Sequence, residues 1–200
     1  TQNDIYNAIM RIIGKNGTIV MPAYTDSFYF LRPNKDIVFH TDVFSLSGSF
    51  SNYLLSRANS IRSEHPTNSI VAIGSNAEYL TDNHDEHSSS YLPYHKLLSL
   101  NAKHLFLGCA DQKDLSPVSF HLFQDLMGLT NKHWLAGRLQ SYFLKNNRKS
   151  LFTRMDVGGC SASGRRVIKD LEDAKLIKYS LNGLRRSSIH FVSDSLFLYK

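Results

Sequence analysis

The sequence predicts an α/β fold, a sandwich with a central mixed sheet flanked by helices. Apolar residues recur at helical spacing in the first fourteen positions. Elsewhere, short apolar runs of strand length stand between polar turns, and the two kinds of segment alternate along the chain. Alternation of this sort is what a sheet covered by helices requires. With 42% hydrophobic and 12% aromatic residues in 200, the chain can bury one continuous core, so one domain is expected over 1–200.

Ile5, Ala8, Ile9, Ile12 and Ile13 mark a first helix, with Asn3 or Asp4 as its cap and Gly14 as its stop. Thr18 to Met21 then reads as a buried strand. Ser47 or Ser49 can cap a helix through Phe50, Tyr53 and Leu54. Ser69 to Ile73 is a second strand, Ala77 to Leu80 a short helix and Lys96 to Leu100 another. Lys103 to Gly108 reads as a third buried strand, followed by a helix from Phe120 to Met127 ending near Gly128. The polar stretch within 131–160 reads as an excursion or lid. Residues 161–200 supply a helix and a hairpin, whose Asn182-Gly183 is a strong turn signal.

The net charge of +6 and pI near 9.3 raise the question of an anionic partner. Most of the excess is late, at Lys145, Arg148, Lys149, Arg154, Arg165, Arg166, Lys169, Arg185 and Arg186. A solvated basic face and a phosphate-binding surface both fit. No apolar run approaches the roughly 20 residues of a bilayer span, and no charged-then-apolar leader opens the sequence, so a cytoplasmic protein without membrane contact is expected. Cys109 and Cys160 form neither a disulfide framework nor a close-spaced zinc pair, and no metal is expected.

The densest chemistry lies in Arg62-Ser63-Glu64-His65-Pro66-Thr67-Asn68-Ser69-Ile70-Val71-Ala72-Ile73-Gly74. This stretch resembles the RS-x-HP-T-x-S-x-x-A-x-G signature of the aminoglycoside 3-N-acetyltransferase family. Gly17 to Pro22 is similar to that family's G-T-L-V-M-P strand, and Ser45 with Gly48 to its S-x-x-G helix start. Pro93-Tyr94 with Lys96-Leu97 resembles S-P-Y-x-K-L, Leu105 to Gly108 resembles L-L-L-G, and Val118 to Gln124 falls on T-x-x-H-x-x-E. The family's acid is Gln124 here and its threonine is Val118. The chain also opens at Thr1 inside what corresponds to the family's first helix, so it is expected to be a divergent member or a fragment without the family's N-terminal strand.

The resemblance implies an α/β enzyme that moves an acetyl group from acetyl-CoA to an amine of an aminoglycoside or other amino-sugar. Such transfer needs a base for the amine and donors for the oxyanion. His121 is the expected base, with Gln124 orienting it and His65 a second catalytic candidate that could instead tie its loop down. Arg62, His65, Thr67, Ser69 and Ser119 are the expected cofactor contacts. His84, Asp85 and Asp125 are expected on the acceptor side, because an amine at neutral pH is an ammonium that favours carboxylates. A homodimer is compatible with this reading. Two alternatives stand beside it: a family member that binds CoA or a partner without turnover, and a winged-helix DNA-binding segment over 163–192 with Arg185 to Val192 as its basic wing.

Overall fold

The computed structural model describes residues 1–25, 28–30, 33–110, 120–126, 139–154, 156, 161–182 and 185–194. They form two compact units, one of residues 1–93 and 133–156, the other of 94–132 and 157–200. The chain passes repeatedly between the two, so no single cut separates them.

In the first unit, helix α1 spans Gln2–Ile13. Its cap is Thr1 rather than Asn3 or Asp4. The Thr1 hydroxyl accepts from the Asp4 N–H, and the Asp4 carboxylate reaches back, closing a capping box. Gly14, at φ +71°, ends the helix as expected. The buried face is centred on Tyr6, with Ile9 and Met10 beside it, whereas Ile12 is 84% exposed. The isoleucine periodicity thus located the helix but rotated its inner face, because the aromatic residue packs against Tyr53.

Strands β1 (Thr18–Pro22), β4 (Ile61–Arg62) and β5 (Ile70–Gly74) form an antiparallel sheet in the order β1-β5-β4. Ile70, Val71, Ala72 and Ile73 are all buried, as a run apolar on both faces predicts. Tyr6, Ile19, Ala23, Leu54, Val71 and Ile73 make one core cluster. Helix α2 (Ser49–Leu55) has Gly48 at its N-cap with no side-chain cap bond. Of the serines proposed for that role, Ser47 Oγ accepts from the Tyr24 N–H and Ser49 is the first residue of the helix. Asn52 instead holds the approach, exchanging hydrogen bonds with the Ser45 backbone at 2.8 and 2.6 Å. Helix α3 covers Ala77–Thr81.

A second sheet joins β2 (Phe28–Phe30), β3 (Val38–Phe39), β7 (Leu139–Lys145) and β8 (Arg148–Thr153). It is mixed, since β3 runs parallel to β7 while β2 and β8 run antiparallel to it. The described part of the predicted excursion is therefore a hairpin. Its two-residue turn, Asn146 and Asn147, has φ of +51° and +60°, the conformation a tight hairpin turn demands. Phe39, Phe143 and Phe152 pack together on this sheet.

The second unit contains α5 (Phe120–Leu126), α6 (Ser161–Asp173) and a third sheet, with α4 (Leu92–Ser99) lying across the chain boundary of the two units. Strands β6 (Lys103–Phe106), β9 (Lys178–Asn182) and β10 (Arg185–Phe191) pair antiparallel in the order β6-β10-β9. β6 alternates rather than being buried throughout, with Leu105 45% exposed. β10 is paired on both sides, so the hairpin read as a wing is built into a sheet. Val167, Leu171 and Ile177 form this unit's core cluster, with Tyr179 against it.

Candidate active site

The signature loop is a buried polar structure. Ser63, His65, Thr67 and Ser69 are each at most 2% exposed. Buried polar groups at this density are tolerated only when hydrogen-bonded, and here they are. Arg62 donates from Nε to Ser69 Oγ (3.2 Å), from Nη1 to the Thr41 and Val43 carbonyls (3.0 and 2.5 Å), and from Nη2 to the Ala23 carbonyl (2.6 Å). Four of its five N–H groups are thus spent inside the protein. Burial lowers its pKa to about 10. Ser69 Oγ donates to the Ala23 carbonyl at 2.7 Å, and Thr67 Oγ1 to Asn68 Oδ1 at 2.9 Å. The candidate cofactor contacts Arg62, Thr67 and Ser69 therefore stitch the loop to the β1 terminus and to itself.

His65 has the same character. Its Nδ1 accepts from the backbone N–H groups of Asn68 (3.1 Å) and Thr67 (3.3 Å). That places the proton on Nε2, which donates to Ser90 Oγ at 3.2 Å. Ser90 Oγ in turn donates to Asp156 Oδ1 (2.8 Å), and Ser90 N to Asp156 Oδ2 (2.6 Å). Arg154 closes the chain, from Nε to Asp156 Oδ1 (2.5 Å) and from Nη2 to Tyr91 Oη (2.8 Å). Burial, then the nearby Arg154 charge, pushes the His65 pKa down to about 3. The ring stays neutral, 1% exposed, with both nitrogens engaged. This geometry suits a post that braces the loop, and gives a base no open nitrogen.

His84 stacks on His65 at 4.8 Å between ring centroids and is itself 1% exposed. Ser63 Oγ, which accepts from the Ile70 N–H, sits 2.9 Å from His84 Nδ1. His84 is thus part of the interior rather than a surface turn residue. Asp85 faces outward. Lys145 Nζ lies 2.9 Å from Glu86, 3.3 Å from Asp85 and 3.7 Å from Glu64. Burial opposes ionisation of Asp85, but the His87 N–H and Lys145 outweigh it and lower its pKa. Hydrogen bonding to Glu86 leads the causes that raise the Lys145 pKa. Beside this cluster is a depression of about 160 Å³ lined by Phe39, His40, Glu64, Glu86, Phe143 and Lys145.

In the second unit, His121 is half-buried on α5. Asp125, one turn further on the same helix, lies 2.9 Å from His95 Nε2. The i, i+4 spacing puts His121 and Asp125 on one helix face. Gln124 lies on this helix, but its side chain falls outside the described residues, as does Ser119. Several of the late basic residues have specific partners: Arg154 is buried against Asp156, Lys149 lies over the Tyr142 ring, and Arg186 over the Tyr179 ring. Ser90 and Asp156 carried no sequence signal, since nothing local marks a hydrogen bond across 66 positions, and Arg154 stood out only as one of the late basic residues.

The sequence profile of the aminoglycoside 3-N-acetyltransferase family matches residues 1–193. The chain belongs to the aminoglycoside 3-N-acetyltransferase family. Its enzyme class is therefore that of acyltransferases. Among solved structures, the YokD protein from Bacillus subtilis is 16% identical and superposes with a TM-score of 0.81, covering 98% of this chain and 78% of that one. AAC-IIIb, solved as a binary complex with CoASH, is 18% identical with a TM-score of 0.74, covering 98% and 81%. Aminoglycoside acetyltransferase AAC(3)-IVa, in mutant form in complex with a gentamicin, is 20% identical with a TM-score of 0.77, covering 98% and 72%. At these identities the likeness establishes the fold. Sequence comparison with curated proteins gave no match.

Proposed function

We propose that this protein is an acetyl-CoA-dependent N-acetyltransferase acting on an amine of an aminoglycoside or other amino-sugar, with His121 as general base. The observation that carries the proposal is the family match over 1–193; the choice of base rests on the resemblance of Val118 to Gln124 to the family's T-x-x-H-x-x-E pattern, with His121 on α5. The neutral amine nitrogen attacks the thioester carbonyl, His121 takes the proton that the nitrogen then sheds, and as the C–S bond breaks that proton passes to the sulfur, so that CoA leaves as the thiol. Unlike His65, His121 is half-buried, within reach of solvent. Asp125 lies one turn beyond it on α5, with its carboxylate 2.9 Å from His95 Nε2.

The donor is acetyl-CoA, and AAC-IIIb with CoASH is a family precedent for it. The side chains of Arg62, His65, Thr67 and Ser69 are engaged internally, so we assign them to holding the loop and place the donor's contacts outside them. Of the carboxylates around Lys145, Glu64 and Asp85 reach solvent and suit a cationic acceptor, whereas Glu86 is 12% exposed. Acetyl-CoA as donor makes the cytoplasm the expected place of action. Among the described residues, no helix is long and apolar enough to cross a membrane.

The test is CoA release from acetyl-CoA with a panel of aminoglycosides and nucleotide-linked amino-sugars. Turnover with at least one is expected, and His121→Ala should lower it by about 10²–10⁴-fold with an unchanged Tm. Substitution of the family's acid by Gln124 favours one second reading, binding without turnover. Thermal protection by acetyl-CoA with no thiol released from any acceptor would establish that instead.

A further inference from the structure

Acetylation of an amine at neutral pH disposes of two protons. The acceptor arrives as an ammonium and must lose one before its nitrogen can attack. The attacking nitrogen then sheds another, which passes to the sulfur of CoA. His121, as proposed, handles the second. The first leaves the site altogether, and it too needs a base.

In the second unit, His95 on α4 and Asp125 on α5 form a carboxylate–imidazole dyad, with Asp125 Oδ2 2.9 Å from His95 Nε2. A carboxylate against Nε2 makes that nitrogen the protonated one and leaves Nδ1 as the basic position. Among the described residues, His95 Nδ1 has no hydrogen-bond partner. The His95 side chain is 35% exposed, so its ring can exchange protons with water, while Asp125 is more enclosed at 20%. His65 is the opposite case, sealed and with both nitrogens engaged.

The dyad stands beside His121. Residues 121 and 125 are one turn apart on α5, a spacing that sets Cβ atoms about 5–6 Å from each other. His95 thus adjoins the helix face that carries the proposed base. Tyr94 and Lys96 are the other titratable groups on α4, and Asp125 is the only carboxylate of α5. A carboxylate stabilises an imidazolium as it forms, which the amide at position 124 cannot do for its own neighbour.

We propose that His95, oriented by Asp125, is the base that takes the first proton from the acceptor ammonium through one water and returns it to solvent. This rests on the acetyl-transfer reading. An N–H bond of the ammonium breaks with its electron pair left on nitrogen, and the intervening water passes a proton to Nδ1. The resulting imidazolium, paired with Asp125, loses that proton to bulk water before the next turnover. Asp125 is a positioning residue in this scheme.

The experiment is CoA release by the full chain, from about pH 6 to about pH 9, for the parent, His95→Gln, Asp125→Asn, their double variant and His121→Ala. His95→Gln should lower kcat/KM for the acceptor by about 10²-fold near neutral pH. The deficit should shrink as the pH nears the acceptor amine's own pKa, where solution supplies the neutral amine. KM for acetyl-CoA and Tm should hold. Asp125→Asn should show a smaller deficit with the same pH dependence, and the double variant should be no worse than His95→Gln, as for groups that act as a unit. His121→Ala should lose rate at every pH. If His95→Gln fails to fold, His95→Asn serves in its place. A pair that merely tied α4 to α5 would give a loss by one factor across the whole range. That result, or a His95→Gln protein as fast as the parent at neutral pH, overturns this proposal and leaves acetyl transfer standing. A parent that turns over no acceptor overturns both.

Discussion

Asp156 accepts from the Ser90 N–H, the Ser90 hydroxyl and Arg154 Nε, while 8% exposed. Arg154, 6% exposed, has Asp156 and Tyr91 as partners. Removing one member of such a pair leaves the other charge buried and uncompensated, at about 3–5 kcal/mol. Asp156→Ala is therefore expected to lower unfolding free energy by that amount. Replacing both charges, Arg154→Met with Asp156→Leu, should be less damaging than the single change, because no orphan charge remains. Denaturant unfolding of the three proteins checks this, and a double variant weaker than Asp156→Ala would refute it. The same residues show why part of the site was hidden. His65 and Ser69 sit in a local pattern that a reader of sequence can find, but Ser90, Arg154 and Asp156 become partners only through the fold. The types of residue in the signature were legible; their inward direction was not, because a polar loop reads alike whether it faces a ligand or its own carbonyls.

Gly74 closes β5, opposite Thr18 of β1, with φ of +128°. A Cβ there would lie 2.1 Å from the Gly17 carbonyl oxygen and 2.7 Å from Thr18 Cα. Both obstacles are backbone, and neither can swing away. The last glycine of the signature is thus a packing requirement between two strands. Gly74→Ala should destabilise the protein by about 3 kcal/mol, from the disfavoured φ and the forced separation of β1 from β5. Thermal unfolding measures it, and a Tm indistinguishable from the parent's would contradict the account. At this scale β1, β5 and α3 were legible because a buried run between turn residues has few other uses. The β7–β8 hairpin was missed although Asn146-Asn147 announces it. Its exposed face carries Leu144, Lys149 and Leu151 together, and that mixture blurs the alternation by which a half-buried strand is recognised.

At the scale of the whole molecule, three imidazoles among the described residues are folded in their neutral form: His65 in the first unit, His104 and His190 in the second. Their folded pKa values, about 3, 3 and 4, lie below the unfolded value of about 6.5. For a histidine depressed in this way, the unfolded chain binds protons more readily than the folded one. The stability they permit is complete above about pH 6.5 and declines as the pH falls toward about 4. Each group adds a slope of up to about 1.4 kcal/mol per pH unit within that window. Because the groups are shared between both units, acid should weaken each rather than melt one selectively. The protein is accordingly expected to lose Tm steadily from about pH 6.5 to about pH 4.5. Replacing His104 and His190 together by leucine should flatten the decline, leaving the share that His65 contributes. A Tm constant over this range would mean that the buried rings gain partners or protons in solution that the described geometry does not give them. An unaltered slope in the double variant would instead assign the acid sensitivity to the His65 network and its Asp156–Arg154 anchor.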